Sequence, residues 1–100
     1  MEYHKLVRDK IPDRIRNKGE EARIHIADEK EYWQKLKEKL VEEVAEFCEA
    51  ESAEEMADVC EVIDAIFATK RIQKNEVDAA RCAKASSHGI FAEKIILEEA

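Results

Sequence analysis

The sequence predicts one all-α domain, and three observations support that fold class. Only two glycines and one proline occur in 100 residues, so the chain has few of the breaks that a many-stranded fold places at its turns. Long stretches after residue 28 repeat apolar side chains at helical spacing. Residues suited to helix capping precede those stretches. The length corresponds to a single domain over residues 1–100, with one modest core.

The first predicted helix is short and runs from Pro12 to Lys18. Proline is favoured in the first turn of a helix and glycine just past its end, and Pro12 and Gly19 bracket this segment. Before it, residues 5–10 combine apolar and basic side chains without helical spacing, which predicts an ordered loop.

Two apolar segments outside the helices have the pattern of strands. In residues 22–27, Ile24 and Ile26 alternate with Arg23 and His25, which is the period-two signature. Residues 90–97 end in a second apolar run. A small two-stranded pairing of these N- and C-terminal segments would need helices packed against it, because an isolated pair is only marginally stable.

The middle of the chain predicts two long helices that fold back on each other. Asp28 is suited to cap a helix over residues 29–50. Ser52 and Glu55 have the spacing of a capping box, which opens a second helix ending near Lys70. Because only a few residues separate the two helices, we expect an antiparallel hairpin.

A third long helix is predicted from an Asn75 cap to about Ala85. The hairpin carries more large apolar side chains than one extra helix can cover, and uncovered apolar area of that extent usually marks an interface. A two-fold pairing of hairpins into a four-helix bundle would bury it, so we expect a homodimer or a tetramer. The side chains concerned are Tyr32, Trp33, Leu36, Leu40, Phe47, Ile63, Ile66 and Phe67.

Composition and charge narrow the classes of function. A net charge of −7 argues against a general nucleic-acid-binding surface. No apolar run approaches the ~20 residues of a membrane span, and the N-terminus lacks the apolar segment of a signal peptide. We therefore expect a cytoplasmic protein with no nucleic-acid or membrane partner. Cys48, Cys60 and Cys82 form no C-x-x-C pair, which predicts buried free thiols.

Four carboxylates interrupt the apolar faces of the predicted hairpin. Projected at ~100° per residue, Glu43 falls inside the apolar stripe of the first long helix and Glu46 at its edge, whereas Glu42 points to solvent. Glu55 falls inside the stripe of the second, with Asp58 beside it. Burying an unpaired carboxylate is costly, so a compensating group is expected.

The spacing of these carboxylates predicts a site for a divalent cation. Residues three apart share a helix face, and the short connection brings both acidic pairs to the same end of the hairpin. Mg²⁺, or Mn²⁺ as an alternative, takes oxygen ligands and would relieve their mutual repulsion. Acidic pairs are also common on solvated helix faces, and Glu55 has a competing role in the capping box. A di-iron centre is disfavoured because neither long helix contains histidine.

At these residues the chain resembles a known family. Residues 42–46 (EEVAE) followed by residues 55–58 (EMAD) are similar to the E-E-x-x-E … E-x-x-D signature of the MazG-type nucleotide pyrophosphohydrolases. This all-α superfamily includes phosphoribosyl-ATP pyrophosphohydrolase and the dimeric dUTPases. Residues 5–12 and 88–97 resemble the beginning and the end of its small single-domain MazG-like members.

The resemblance implies Mg²⁺-dependent hydrolysis of a nucleoside triphosphate to the monophosphate and pyrophosphate. It implies that Glu43, Glu46, Glu55 and Asp58 are the metal ligands. Glu46 is our candidate for the base that accepts a proton from the attacking water. A triphosphate also needs basic partners, although each candidate is equally explained as surface charge. The candidates are Lys5, Arg8 and Lys10 in the opening loop, and Arg81, Lys84 and His88 later.

Two alternatives stay open at the level of sequence. Phosphoribosyl-ATP pyrophosphohydrolase of histidine biosynthesis shares the ligand pattern and the chemistry. A non-catalytic helical module that oligomerises, with its acidic pairs neutralised by lysines, would have the same helices without turnover.

Overall fold

Four helices make up the regular structure of residues 4–100, the part of the chain that the computed structural model describes. They are α1 (Ile11–Asn17), α2 (Glu29–Ala50), α3 (Ala53–Lys70) and α4 (Lys74–His88). The predicted all-α class is confirmed. None of the helices in this described part has the length and apolar character that crossing a membrane requires.

Side-chain caps define the beginnings of both long helices. Asp28 Oδ1 accepts a hydrogen bond from Glu31 N at 2.8 Å at the start of α2. Ser52 Oγ accepts one from Glu55 N at 3.3 Å at the start of α3. Each helix ends at a residue in the left-handed conformation, Glu51 (φ 53°) and Arg71 (φ 55°). Only residues 51 and 52 separate the two helices, so α2 and α3 form an antiparallel hairpin.

The hairpin holds most of the packing of the molecule. Leu36 on α2 and Val59 and Val62 on α3 are the buried apolar residues of the described chain. The Cα radius of gyration is 18.0 Å, whereas a compact 100-residue domain has about 13 Å. The α4 residues are exposed apart from a half-buried Val77. A single chain is therefore an extended arrangement around one two-helix core.

The two-stranded pairing does not form in the described chain, because residues 4–100 contain no strand. Ile26 is 87% exposed and Phe91 is 99% exposed, so no helix covers these apolar side chains. Alternation alone favours an extended backbone, but a pair of strands is stable only when one face is covered.

Two smaller expectations are wrong. The helix α4 begins after Gln73, which makes no side-chain cap hydrogen bond, and it continues to His88 before Gly89 at φ 85°. Asn75 therefore lies inside the first turn, and Ala85 is not the end of the helix. The three thiols are all exposed rather than buried, since the thin core leaves them no interior to occupy.

Candidate metal centre

Three carboxylates from the two long helices meet on one side of the hairpin. Glu43, Glu55 and Asp58 each offer one oxygen, and these three atoms lie within 4.8 Å of one another. Glu43 is two turns before the end of α2, and Glu55 lies in the first turn of α3. The tight connection thus places them opposite each other, and Asp58 follows one turn after Glu55.

Glu43 is the most informative member of this acidic cluster. It is only 6% exposed, and its Oε2 atom has no hydrogen-bond partner. Its other oxygen, Oε1, lies 3.2 Å from Nζ of Lys39, one turn earlier on α2. An unpaired carboxylate oxygen in the interior is costly, so Oε2 is suited to accept a ligand.

The donor set fits a hard divalent cation. All three groups supply oxygen, which Mg²⁺ and Mn²⁺ prefer over nitrogen and sulfur. Three oxygens that lie within 4.8 Å of one another are each within about 2.8 Å of a common point, so movements of under about 1 Å bring all three to the ~2.1 Å of a Mg²⁺–oxygen bond.

The opening loop places basic residues on the same acidic surface. Arg8 Nη2 lies 2.7 Å from Asp58 Oδ1, and Lys5 Nζ lies 3.4 Å from Glu42 Oε1. Lys39 Nζ is also 3.6 Å from Glu42 Oε2. Glu42 is half-buried and paired, so the expectation that it points to solvent is wrong.

The other predicted phosphate partners make no contact that joins them to the cluster in the part of the chain that the structure describes. Lys10, Arg81, Lys84 and His88 are exposed, and within residues 4–100 no ion pair joins them to it. Arg81 Nη1 is 4.0 Å from Asp78 Oδ1 on the same helix. One chain therefore brings Lys5 and Arg8 to the carboxylates and keeps the α4 residues apart.

Glu46 lies outside the trio but within its electrostatic influence. Its side chain is exposed, and the negative charge of Glu43 is the main cause that raises its pKa above the usual 4.5. Desolvation and a side-chain hydrogen bond with Glu43 raise it further, and the charges of Glu42 and Glu55 add smaller effects. Together with Glu55, Glu46 lines an open cleft of about 330 Å³ at the end of α2.

The raised pKa of Glu46 predicts how stability changes with pH. The native protein holds this proton more tightly than the unfolded chain, so metal-free stability falls as pH rises through the raised pKa. We expect Glu46→Gln to melt at a higher temperature than wild type at pH 7 in EDTA. The difference should shrink towards zero below pH 4.5, the usual pKa. Thermal denaturation between pH 7 and below pH 4.5 measures this difference in melting temperature. The charge-matched control is Glu61→Gln, because Glu61 is an exposed residue of α3. A pH-independent difference would contradict this interpretation.

Lys39 is the neighbour of the site that sequence reasoning missed. Its side chain is 17% exposed and lies between Glu42 and Glu43. The signal was available, because a lysine four residues before an acidic residue on the same helix faces it.

The comparisons with known proteins give no relative. No protein-family model matches the chain, and neither a curated protein nor a solved structure matches it significantly.

Proposed function

We propose that this protein is a Mg²⁺-dependent nucleoside triphosphate pyrophosphohydrolase that releases the nucleoside monophosphate and pyrophosphate. The observation that carries the proposal is the oxygen-only cluster of Glu43, Glu55 and Asp58, in which a buried Glu43 oxygen has no partner. The resemblance to MazG-type enzymes supplies the reaction class.

Each side chain has a role that follows from its position. Glu43, Glu55 and Asp58 hold the cation, and Mn²⁺ suits the same oxygens. When bound, Mg²⁺ supplies neutralisation of phosphate charge and a lower pKa for a bound water. Glu46 is exposed one turn after Glu43 on α2, beside the cluster, and is placed to accept the water's proton. Arg8 is placed to donate hydrogen bonds to phosphate oxygens.

A second candidate is the non-catalytic helical module. It is favoured by one specific observation, the pairing of acidic residues with bases of the same chain. Lys39 neutralises one oxygen of Glu43, and Arg8 pairs with Asp58. The unpaired Glu43 Oε2 argues for the metal site instead, because the large majority of buried polar side-chain atoms in proteins have a hydrogen-bond partner.

Thermal stability measured with and without metal separates the two candidates. A ligand that binds only the native state at 100 times its Kd stabilises it by about 2.7 kcal/mol. For a domain of this size each kcal/mol raises Tm by roughly 4–8 °C. We expect a clear rise with millimolar Mg²⁺ or Mn²⁺ and a non-hydrolysable nucleoside triphosphate, and none for Glu43→Ala. An unchanged Tm for wild type would favour the non-catalytic module.

We also propose that two copies pair through their hairpins into a four-helix bundle, as a homodimer or within a tetramer. Three buried apolar residues are a thin core for this chain, and Val41, Val44 and Met56 on the hairpin remain exposed. The radius of gyration of 18.0 Å indicates an extended chain that has surface left to bury. In such a dimer, residues of the second copy would line more of the open cleft beside Glu46. The exposed basic residues of α4 in the second copy would then be able to approach this cleft.

Arg8→Ala should weaken nucleotide binding in the presence of metal. Hydrogen bonds to a charged group are the stronger ones, so the loss of Arg8 should raise the Kd of a non-hydrolysable triphosphate by roughly tenfold. Fluorescence titration with a labelled nucleotide measures it. Arg14→Ala, which removes an exposed positive charge from α1, is the control and should bind like wild type. If Arg8→Ala and wild type bind the nucleotide with equal affinity, Arg8 is an ordinary surface charge and does not contact the phosphates.

A further inference from the structure

We propose that Arg8 is an exchangeable counter-ion of the metal site, which leaves Asp58 when the cation enters and thereby becomes available to substrate phosphate. This inference rests on the proposed function and concerns the order of events at the same site. It adds a step that the carboxylate cluster alone does not contain, namely a change of partner by a basic residue.

The first support is the contact itself. Arg8 Nη2 is 2.7 Å from Asp58 Oδ1, and the pair joins residues 50 apart in sequence. It links the opening loop, ahead of α1, to the carboxylate side of α3. The side chains of Arg8 and Asp58 are 55% and 40% exposed. Because exposed ion pairs contribute little to stability, this one can separate at low cost.

The second support is the crowding that a metal ion creates. A cation bound at about 2.1 Å to Asp58 Oδ1, the oxygen that Arg8 contacts at 2.7 Å, would stand within about 5 Å of Arg8 Nη2. Two positive groups on the same carboxylate oxygen repel each other at this distance. The guanidinium lies on a loop and carries the smaller charge, so it is the group that moves.

Lys39 shows the contrasting behaviour. Its side chain is 17% exposed and its Nζ atom lies 3.2 Å from Glu43 Oε1, whereas Glu43 Oε2 has no partner. A cation can take Oε2 without displacing Lys39. Metal binding therefore breaks the ion pair of Arg8 with Asp58 and leaves the ion pair of Lys39 with Glu43 in place.

A consequence is that metal and nucleotide assist each other. Metal binding alone breaks the Arg8–Asp58 ion pair and gives Arg8 no replacement. When a triphosphate is also bound, its phosphate oxygens become the new anionic partner of Arg8. Each ligand should raise the affinity of the other by the same factor. Without Arg8, this part of the coupling disappears.

Titration with Mn²⁺ alone tests the exchange. Free Mn²⁺ measured by electron paramagnetic resonance should give a Kd about two- to fivefold lower for Arg8→Ala than for wild type, the factor expected from losing one exposed competing ion pair. Arg14→Ala removes the same charge from an exposed position on α1 and should leave the Kd unchanged. Equal Kd values for Arg8→Ala and wild type would overturn the exchange but not the metal site. Failure of all three proteins to bind Mn²⁺ would overturn the proposed function itself.

A second measurement observes the guanidinium directly. In ¹⁵N-labelled protein, the Nε–H signal of Arg8 should shift when Mg²⁺ is added, and that of Arg14 should not. An unmoved Arg8 signal at saturating Mg²⁺ would show that the ion pair persists and would contradict the proposal.

Discussion

Glu43→Ala and Asp58→Ala should each abolish Mg²⁺-dependent hydrolysis while leaving a helical protein. Loss of a metal ligand should reduce kcat/KM by more than about 100-fold. Even mutation of a residue that only hydrogen-bonds to a metal ligand typically lowers metal affinity or activity 10–100-fold. Glu43→Ala also removes the buried oxygen that has no partner, and Lys39 keeps Glu42 as its neighbour. The Tm of the metal-free protein should therefore hold or rise. Steady-state kinetics with circular dichroism separates loss of activity from loss of fold.

Glu61→Ala is the matched control for both substitutions. Glu61 lies on α3 one turn beyond Asp58 and is exposed. The change removes the same charge without touching the cluster, so stability should stay within about 0.5 kcal/mol of wild type and activity should be retained. Near wild-type hydrolysis by Glu43→Ala or Asp58→Ala would show that the metal site is elsewhere.

The mass in solution should be at least twice the 11.5 kDa of one chain. Leu36, Val59 and Val62 are too few buried apolar residues for a stable monomer of this length. Multi-angle light scattering after gel filtration, at micromolar concentration, measures the mass. A single species at the monomer mass would refute the four-helix bundle.

Val41→Lys probes the surface that should hold the copies together. Val41 lies on the hairpin and is exposed in a single chain, so in a monomer the substitution should cost less than about 0.5 kcal/mol. In an interface it would bury a charge, and the mass should shift towards that of one chain. An unchanged oligomer would place the interface away from Val41.

The elements that the sequence predicted well are those whose signals are local. Asp28 and Ser52 cap helices with their own side chains, and both long helices begin where those residues indicate. The start of α4 was misplaced because Gln73 makes no side-chain cap. The strand pairing failed for a different reason: residues 22–27 and 90–97 need a distant partner, which alternation does not supply.

The same distinction holds at the candidate site. Helical projection placed four carboxylates, Glu43, Glu46, Glu55 and Asp58, on neighbouring faces. The structure brings one oxygen from each of them except Glu46 within 4.8 Å of one another. The contact between Arg8 and Asp58 spans 50 residues and depends on where the opening loop lies, which no local pattern specifies.

Product analysis tests the central claim most directly. Wild type and Glu43→Ala are incubated with Mg²⁺ and a panel of nucleotides that includes standard and modified triphosphates and phosphoribosyl-ATP, and the phosphorus products are followed by ³¹P NMR. We expect wild type to convert at least one of them to the monophosphate and pyrophosphate, and Glu43→Ala to convert none. Release of inorganic phosphate and a diphosphate, or no turnover of any nucleotide by wild type, would contradict a pyrophosphohydrolase.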